Sequence, residues 1–184
     1  RCKAEISVQY PIIEGLNGFL WVFVFLVNGM NVMSVVYCLM TSALLVLSVI
    51  DWRTFEIPFG INVFLGILGI VAVVLDKGEW LNHVIGAVCV SGFLLLLYLL
   101  SKGRAIGGGD IKLMAACGLL LGWQKSILAF LLGCIVGSVI HLFRMKISKE
   151  GHVLAMGPYL AAGIFLAALF GGQWIHWYLD ALGI

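Results

Sequence analysis

Residues 101–123 read SKGRAIGGGDIKLMAACGLLLGW, and the order of residue types in this stretch is typical of a functional membrane segment. Three consecutive glycines precede Asp110, which stands at the head of an apolar run. A carboxylate at membrane depth is costly unless it faces a partner or a wet cavity, so by default it indicates a functional site. The structural alternative is that Asp110 only complements the N-terminal end of a helix dipole, and this residue alone leaves both interpretations open.

The composition places the rest of the chain in lipid as well. Hydrophobic residues make up 62% of the sequence and charged residues 11%, against about 45–50% and about 25% in soluble domains. A membrane span needs roughly 20 mostly apolar residues. We therefore predict an all-α polytopic membrane protein, a bundle of about seven transmembrane helices, with approximate spans at 12–28, 33–50, 57–75, 80–100, 110–123, 126–143 and 156–178.

The basic residues predict the orientation of this bundle. If all seven segments span, Lys77 and Lys125 face one side, and the other nine of the eleven Lys and Arg face the opposite side. Because short-loop Lys and Arg favour the cytoplasm, the N-terminus is predicted to be inside. Aromatic residues cluster on the outer side, including Trp80, Trp123 and Trp174, as expected of an interfacial belt. We expect His176 to belong to this belt rather than to a metal site.

A second carboxylate stands on the predicted inner side. Asp51 closes the second span in LSVIDWRTFEIPFG (47–60) and lies 59 positions before Asp110. The two can share one water molecule only if the second and fifth spans pack together, which we predict. An extended peptide lying along Gly107–Gly109 would bring its scissile carbonyl near Asp110. The residues alone thus favour an aspartyl protease at the inner face of the membrane.

These motifs resemble those of a known family, the type IV prepilin peptidases. GGGDIKLMAACGLLLG (107–122) resembles their GxGD signature, and DWRTFEIP (51–58) resembles their other aspartate motif. GPYLAAG (157–163) is similar to their late Gly-Pro-aromatic-Leu motif, and residues 1–18 resemble the end of their cysteine loop with the span that follows. The sequence departs from the family at Phe59, where a polar residue is frequent, and at Ala155-Met156, where Pro-Phe is usual.

The resemblance implies an activity, its residues and its substrates. It implies a membrane-embedded aspartyl endopeptidase with Asp51 and Asp110 as catalytic residues, and with Gly107, Gly108, Gly109 and Lys112 in substrate binding. The substrates would be prepilins and pseudopilins, whose short basic leader is removed after a glycine on the cytoplasmic side of the bacterial inner membrane. No nucleic-acid partner is expected, and the oligomeric state stays open.

Cysteines separate this chain from the bifunctional members of that family. Those members hold zinc in a loop with two Cys-x-x-Cys pairs and methylate the new N-terminus with S-adenosylmethionine. Of that set only Cys2 is present, whereas a structural zinc needs four ligands. We expect residues 1–11 to be a remnant of that loop and 12–184 to be the peptidase domain, with no zinc, no methylation and no cofactor for proteolysis. The other four cysteines lie in apolar segments and are expected to act as small hydrophobes.

Helix ends suggest roles within the carboxylate pair. Asp110 is predicted at the start of its helix, where the dipole favours an anion, and Asp51 near the end of its helix, so Asp110 is assigned as the base and Asp51 as the acid. Glu56 is either a third carboxylate or a solvated loop residue. Two other function classes stay open: a small ion- or proton-coupled transporter with the aspartates as cation sites, and a non-catalytic subunit of a pilus or secretion system.

Overall fold

A computed structural model describes residues 8–104, 106–147 and 155–183 of the 184-residue chain. Within these ranges the chain forms seven α-helices and no strand, which confirms the predicted all-α class. The helices are α1 (Gln9–Asn28), α2 (Val32–Thr54), α3 (Phe59–Leu75), α4 (Trp80–Leu100), α5 (Gly108–Leu121), α6 (Trp123–Ile147) and α7 (Gly157–Leu182). Helix α1 begins at Gln9, inside the predicted loop remnant 1–11, and residues 1–7 of that remnant, with Cys2, lie outside the described ranges.

Five of the seven helices are long and apolar enough to cross a membrane: α1, α2, α4, α6 and α7. Helix α3 has 17 residues and is apolar but shorter. Helix α5 has 14 residues and rises about 21 Å at 1.5 Å per residue, whereas a hydrocarbon core is about 30 Å thick. The chain is therefore a multi-pass helical bundle in which α5 is too short to cross the bilayer by itself.

Helix α5 is nevertheless the centre of the bundle. It packs against α3, α4 and α6, and its apolar side chains Leu113, Met114, Cys117 and Leu120 are fully buried. Gly86 of α4 and Gly118 of α5 bring two backbones into contact, because a Cβ atom on Gly118 would lie 2.1 Å from the Gly86 carbonyl oxygen. Small residues at a helix interface permit this approach, and they are the usual means of packing helices in lipid.

Successive helices run in alternating directions and define two ends of the bundle. At one end, residues from the close of α2 and the starts of α3 and α5 surround a common cavity. At the other end, Asn82 of α4, Leu121 of α5, Gln124 of α6 and the 172–179 part of α7 border a different cavity. The exposed rings of Trp80, Trp123, Trp174 and Trp177 belong to helix segments at this second end, as an interfacial belt requires.

The predicted packing of the second helix on the fifth is wrong. Both helices lie wholly within the described residues, and no Cα atom of α2 comes within 8 Å of a Cα atom of α5. Instead α3 packs against both, and α7 also contacts each of them. Helix α2 packs against α1, α3 and α7, and a space separates it from α5.

Candidate active site

The space between α2 and α5 is a cavity of about 410 Å³. Its walls come from the end of α2 and the following loop, the start of α3, the start of α5 and the residues that precede α7. Both predicted carboxylates border it, together with all three glycines of the GGGD stretch. The lining residues are Asp51, Phe55, Glu56, Ile57, Phe59, Asn62, Gly107, Gly108, Gly109, Asp110, Lys112, Ala155 and Met156.

Asp51 enters the cavity from the last turn of α2. The residue is buried, at 4% exposure, and its Oδ2 atom accepts a 2.9 Å hydrogen bond from the backbone N–H of Gly157. Gly157 is the first residue of α7, so Asp51 satisfies one of the N–H groups that a helix start leaves unpaired. A Cβ atom at position 157 would lie 2.6 Å from this oxygen, so the contact requires glycine there.

Asp110 approaches the cavity from the opposite wall. It is the third residue of α5, and its N–H donates to the Gly107 carbonyl at 3.2 Å. Its carboxylate folds back over Gly107, where an added Cβ atom would lie 3.1 Å from Oδ2. Asp110 therefore faces the cavity that Asp51 borders from the other side. Asp51 and Asp110 thus border the same cavity from different helices, and that they share one water molecule stays a prediction.

This geometry removes the reason for assigning separate roles to the two aspartates. The assignment held that only Asp110 benefits from a helix N-terminus. Helix α2 in fact continues past Asp51 to Thr54, and the Asp51 carboxylate is bonded to the first N–H of α7. Both side chains thus lie at helix starts, Asp110 within α5 and Asp51 against α7, so helix ends do not distinguish the base from the acid.

None of the three glycines has a positive φ, so the backbone conformation alone does not require glycine at these positions. Gly107 is extended (φ −72°, ψ 137°), and Gly108 and Gly109 already belong to the first turn of α5. A Cβ atom on Gly109 would lie 2.9 Å from Cβ of Ile57, so this glycine lets the α2–α3 loop close over the start of α5. At Gly108 the corresponding space is open within 4 Å, which leaves room for a ligand at the cavity wall.

Lys112 also borders the cavity, one turn of α5 beyond Gly108. Its ammonium lies 5.5 Å from the ring centroid of Phe59 in a cation–π arrangement. Phe59 is one of the positions at which this chain departs from the family pattern, and Ala155 and Met156, the other departures, border the same cavity. Glu56 lines it as an exposed residue of the α2–α3 loop, so it is solvated and borders the same cavity as the aspartates.

Two residues of this site were missed as functional candidates. Gly157 was noted only as part of a motif, and its bond to Asp51 joins positions 106 apart, which local sequence does not reveal. Asn62 was not considered, yet it is 6% exposed, borders the cavity and has no hydrogen-bond partner for either amide atom among the described residues. The available signal was a lone carboxamide in the otherwise apolar run FGINVFLGIL (59–68).

No group of three or more potential metal ligands occurs in the part of the chain that the structure describes. Cys38 and Cys117 are buried in the helical core, Cys134 is half-buried and Cys89 is exposed on α4. Each of the four lies within a helix, as expected of small hydrophobic residues. The predicted absence of zinc stays a prediction, because Cys2 lies outside the described residues.

Comparison with known proteins gives one consistent result. A sequence profile described as the type IV leader peptidase family matches residues 38–142, which include both aspartates and the three glycines. The chain is 33% identical over 190 aligned residues to a prepilin leader peptidase/N-methyltransferase of Aeromonas salmonicida (strain A449). It is 34% identical over 186 residues to the Pseudomonas putida protein of the same name, and 32% over 187 residues to that of Stutzerimonas stutzeri.

These alignments cover nearly the whole chain but only part of each relative. They include 98% of this chain with the Aeromonas protein, 94% with the Pseudomonas protein and 97% with the Stutzerimonas protein. The chain spans 65%, 62% and 64% of the length of these relatives, respectively. No solved structure gave a significant match.

Proposed function

The chain belongs to the type IV leader peptidase family, and on that premise we propose that it is a membrane-embedded aspartyl endopeptidase acting on type IV prepilins and pseudopilins. The observation that carries the proposal is that Asp51 and Asp110 border one cavity from separate helices. The names of the relatives add the substrate class, since each is a prepilin leader peptidase. Hydrolysis by this pair requires water and no cofactor, and we assign only the peptidase reaction to the chain.

The reaction uses one proton shared between the two carboxylates. Two such groups facing one space do not both ionise readily, so they titrate as a pair. The ionised carboxylate takes a proton from a water molecule as its oxygen attacks the scissile carbonyl carbon, and the protonated carboxyl donates its proton to the carbonyl oxygen. In the second step the carboxyl that took the water proton gives it to the amide nitrogen, and the C–N bond breaks. The other carboxylate takes a proton back from a hydroxyl of the tetrahedral intermediate, so the products are a new carboxyl group and a new amino group.

The substrate peptide is proposed to lie extended along the start of α5. The open space at Gly108 allows close approach of another backbone, as strand-like recognition requires. Lys112 on the same wall supplies a positive charge for an acidic residue that follows the cleavage point. Phe59 occupies the wall beside that charge, so this part of the cavity is proposed to contribute to substrate selection.

The active site is proposed to face the cytoplasm from the inner membrane. Of the Lys and Arg whose side chains the structure describes, Arg53, Lys102, Arg104 and Lys112 belong to the end of the bundle that holds Asp51 and Asp110, whereas Lys77 and Lys125 belong to the other end. This bias favours the cytoplasmic side for the aspartates. The short helix α5 supports a recessed site, because its 14 residues leave part of the bilayer thickness for water and substrate. A transporter is less well supported, since coupling-ion sites lie near the bilayer midplane whereas this cavity lies at one end of the bundle.

The test of this function is cleavage of a prepilin by the purified chain in detergent. A prepilin with a glycine at the cut site is incubated with the chain, and the products are identified by intact-mass spectrometry. We expect a single cut after the glycine, and the same prepilin with that glycine replaced by a bulky residue is the matched control. A chain that leaves the parent prepilin intact, or cuts both substrates equally, would contradict the proposal.

A further inference from the structure

Asn62 is a buried polar residue at the wall of the candidate active site, and the proposed reaction does not use its side chain. It lies in the first turn of α3, at position i+3 from Phe59, so the two share one face of the helix. Both residues border the cavity that Asp51 and Asp110 also border. Helix α3 packs against both α2 and α5, the helices that carry the two carboxylates.

The state of this side chain is unusual. Asn62 is 6% exposed, and neither its Nδ2 nor its Oδ1 atom has a hydrogen-bond partner among the described residues. Buried polar groups are paired in the great majority of cases, and leaving one unpaired costs about 1–3 kcal/mol. An apolar residue of similar size would avoid that cost in a helix that is otherwise apolar. The Asn62 carboxamide can therefore still donate and accept hydrogen bonds at the wall of the cavity.

We propose that Asn62 binds the main chain of the substrate peptide beside the scissile bond. A primary carboxamide presents one donor and one acceptor side by side, and an extended peptide presents a C=O and an N–H in the matching arrangement. Pairing with the peptide satisfies both amide atoms and supplies two hydrogen bonds that do not depend on the substrate side chains. Asn62 is in this account a substrate-binding residue and takes no part in proton transfer.

This inference rests on the proposed peptidase function and adds a distinct requirement to it. The Gly108 wall gives the peptide room and Lys112 recognises charge, but neither pairs with the polar groups of the peptide backbone. Main-chain binding by Asn62 fixes how far the peptide enters between the two carboxylates. A bond of this kind forms in the enzyme–substrate complex, so its removal raises KM more than it lowers kcat.

The test compares two substitutions that each remove a buried, unpaired polar group. Asn62→Leu removes the carboxamide at the cavity, and Ser126→Ala removes a fully buried, unpaired hydroxyl in α6 at the opposite end of the bundle. Because replacing an unsatisfied polar group by an apolar one is neutral or stabilising, we expect the thermal midpoint of each variant to stay level or rise. For cleavage, Asn62→Leu should raise KM about tenfold with kcat within about threefold of the parent, as loss of two weak hydrogen bonds predicts. Ser126→Ala should change neither constant.

Binding without turnover provides the second readout. In the Asp110→Asn background, which is expected to bind prepilin without cutting it, Asn62→Leu should weaken prepilin binding by a similar factor of about ten. Unchanged KM and binding in Asn62→Leu would overturn this inference while leaving the peptidase function intact. A lower thermal midpoint together with loss of activity would assign Asn62 a structural role instead. Failure of the parent chain to cleave prepilin would overturn the proposed function, and the role of Asn62 with it.

Discussion

The backbone N–H of Gly157 donates a 2.9 Å hydrogen bond to Oδ2 of Asp51 and so joins the first residue of α7 to the last turn of α2. One oxygen of a proposed catalytic carboxylate is therefore held by the fold. The bond needs an acceptor at position 51 and the absence of a Cβ atom at position 157. It follows that Asp51→Asn, which retains a carbonyl acceptor of the same length, separates the structural role of this residue from its chemistry.

Gly157→Ala should damage both the site and the fold. The added Cβ atom would lie 2.6 Å from Oδ2 and 2.9 Å from Cγ of Asp51, so the carboxylate or α7 must shift. Overpacking of this kind costs about 1–3 kcal/mol, and a displacement of about 1 Å at a reacting group can reduce activity about a hundredfold. Thermal unfolding and cleavage rate measure the two effects. Gly172→Ala, on the same helix with no atom within 4 Å of its Cβ position, is the control and should be near neutral.

Gly109→Ala should reduce stability, whereas Gly108→Ala should affect only substrate binding. A Cβ atom on Gly109 would lie 2.9 Å from Cβ of Ile57, so Gly109→Ala should lower the thermal midpoint as well as the activity. The Cβ position of Gly108 is open, so Gly108→Ala should keep its midpoint and raise KM if the peptide occupies that space. Thermal scans and steady-state kinetics on both variants test this. Parental KM in a stable Gly108→Ala variant would remove Gly108 from the peptide path.

Lys112→Met should weaken substrate binding through lost charge. The ammonium borders the cavity above the Phe59 ring, and Met keeps much of the apolar stem. Partly exposed charge pairs contribute about 0.2–1 kcal/mol, so we expect KM to rise about two- to fivefold. The rise should disappear with a prepilin whose acidic residue after the cut is neutralised. Lys102→Met, an exposed position outside the cavity lining, should behave as the parent, and equal losses in both variants would point to a general charge effect.

The pH–rate profile should be bell-shaped. At low pH both carboxyls carry a proton and no base is available, and at high pH both are ionised and no acid is available. Activity should therefore decline on both sides of the optimum, with two apparent pKa values that belong to the pair. The profile of kcat/KM in detergent measures this. A single-limb profile across the stable range would argue against a shared proton.

Much of the architecture could be predicted because it follows from local pattern. Apolar runs of about twenty residues separated by polar loops determine the number and order of helices, and the charged loops divide them between two faces. Asp51 and Asp110 could be selected for the same reason, since each is a carboxylate at the end of an apolar segment. Alternating helix directions then bring both to one end of the bundle.

The remaining features depend on packing that no local pattern encodes. Helices α2 and α5 were expected to touch, but α3 and α7 take the contacts of α2 and leave a cavity instead. The glycines near Asp110 were expected to supply deformable backbone, whereas Gly109 is needed because Ile57, from another loop, approaches it. Asp110 was expected to be the base because it alone was placed at a helix start. That reason is lost, because the start of α7, from a distant part of the chain, contacts Asp51.

The most direct measurement is prepilin cleavage by the parent chain, Asp51→Asn and Asp110→Asn, with thermal unfolding of each. We expect either substitution to lower the cleavage rate by about a thousandfold or more, since each removes a group that must transfer a proton. The thermal midpoint of Asp51→Asn should lie within a few degrees of the parent, because the Asn carbonyl can still accept a hydrogen bond from the Gly157 N–H. Cleavage that persists in either folded variant would contradict the two-aspartate mechanism.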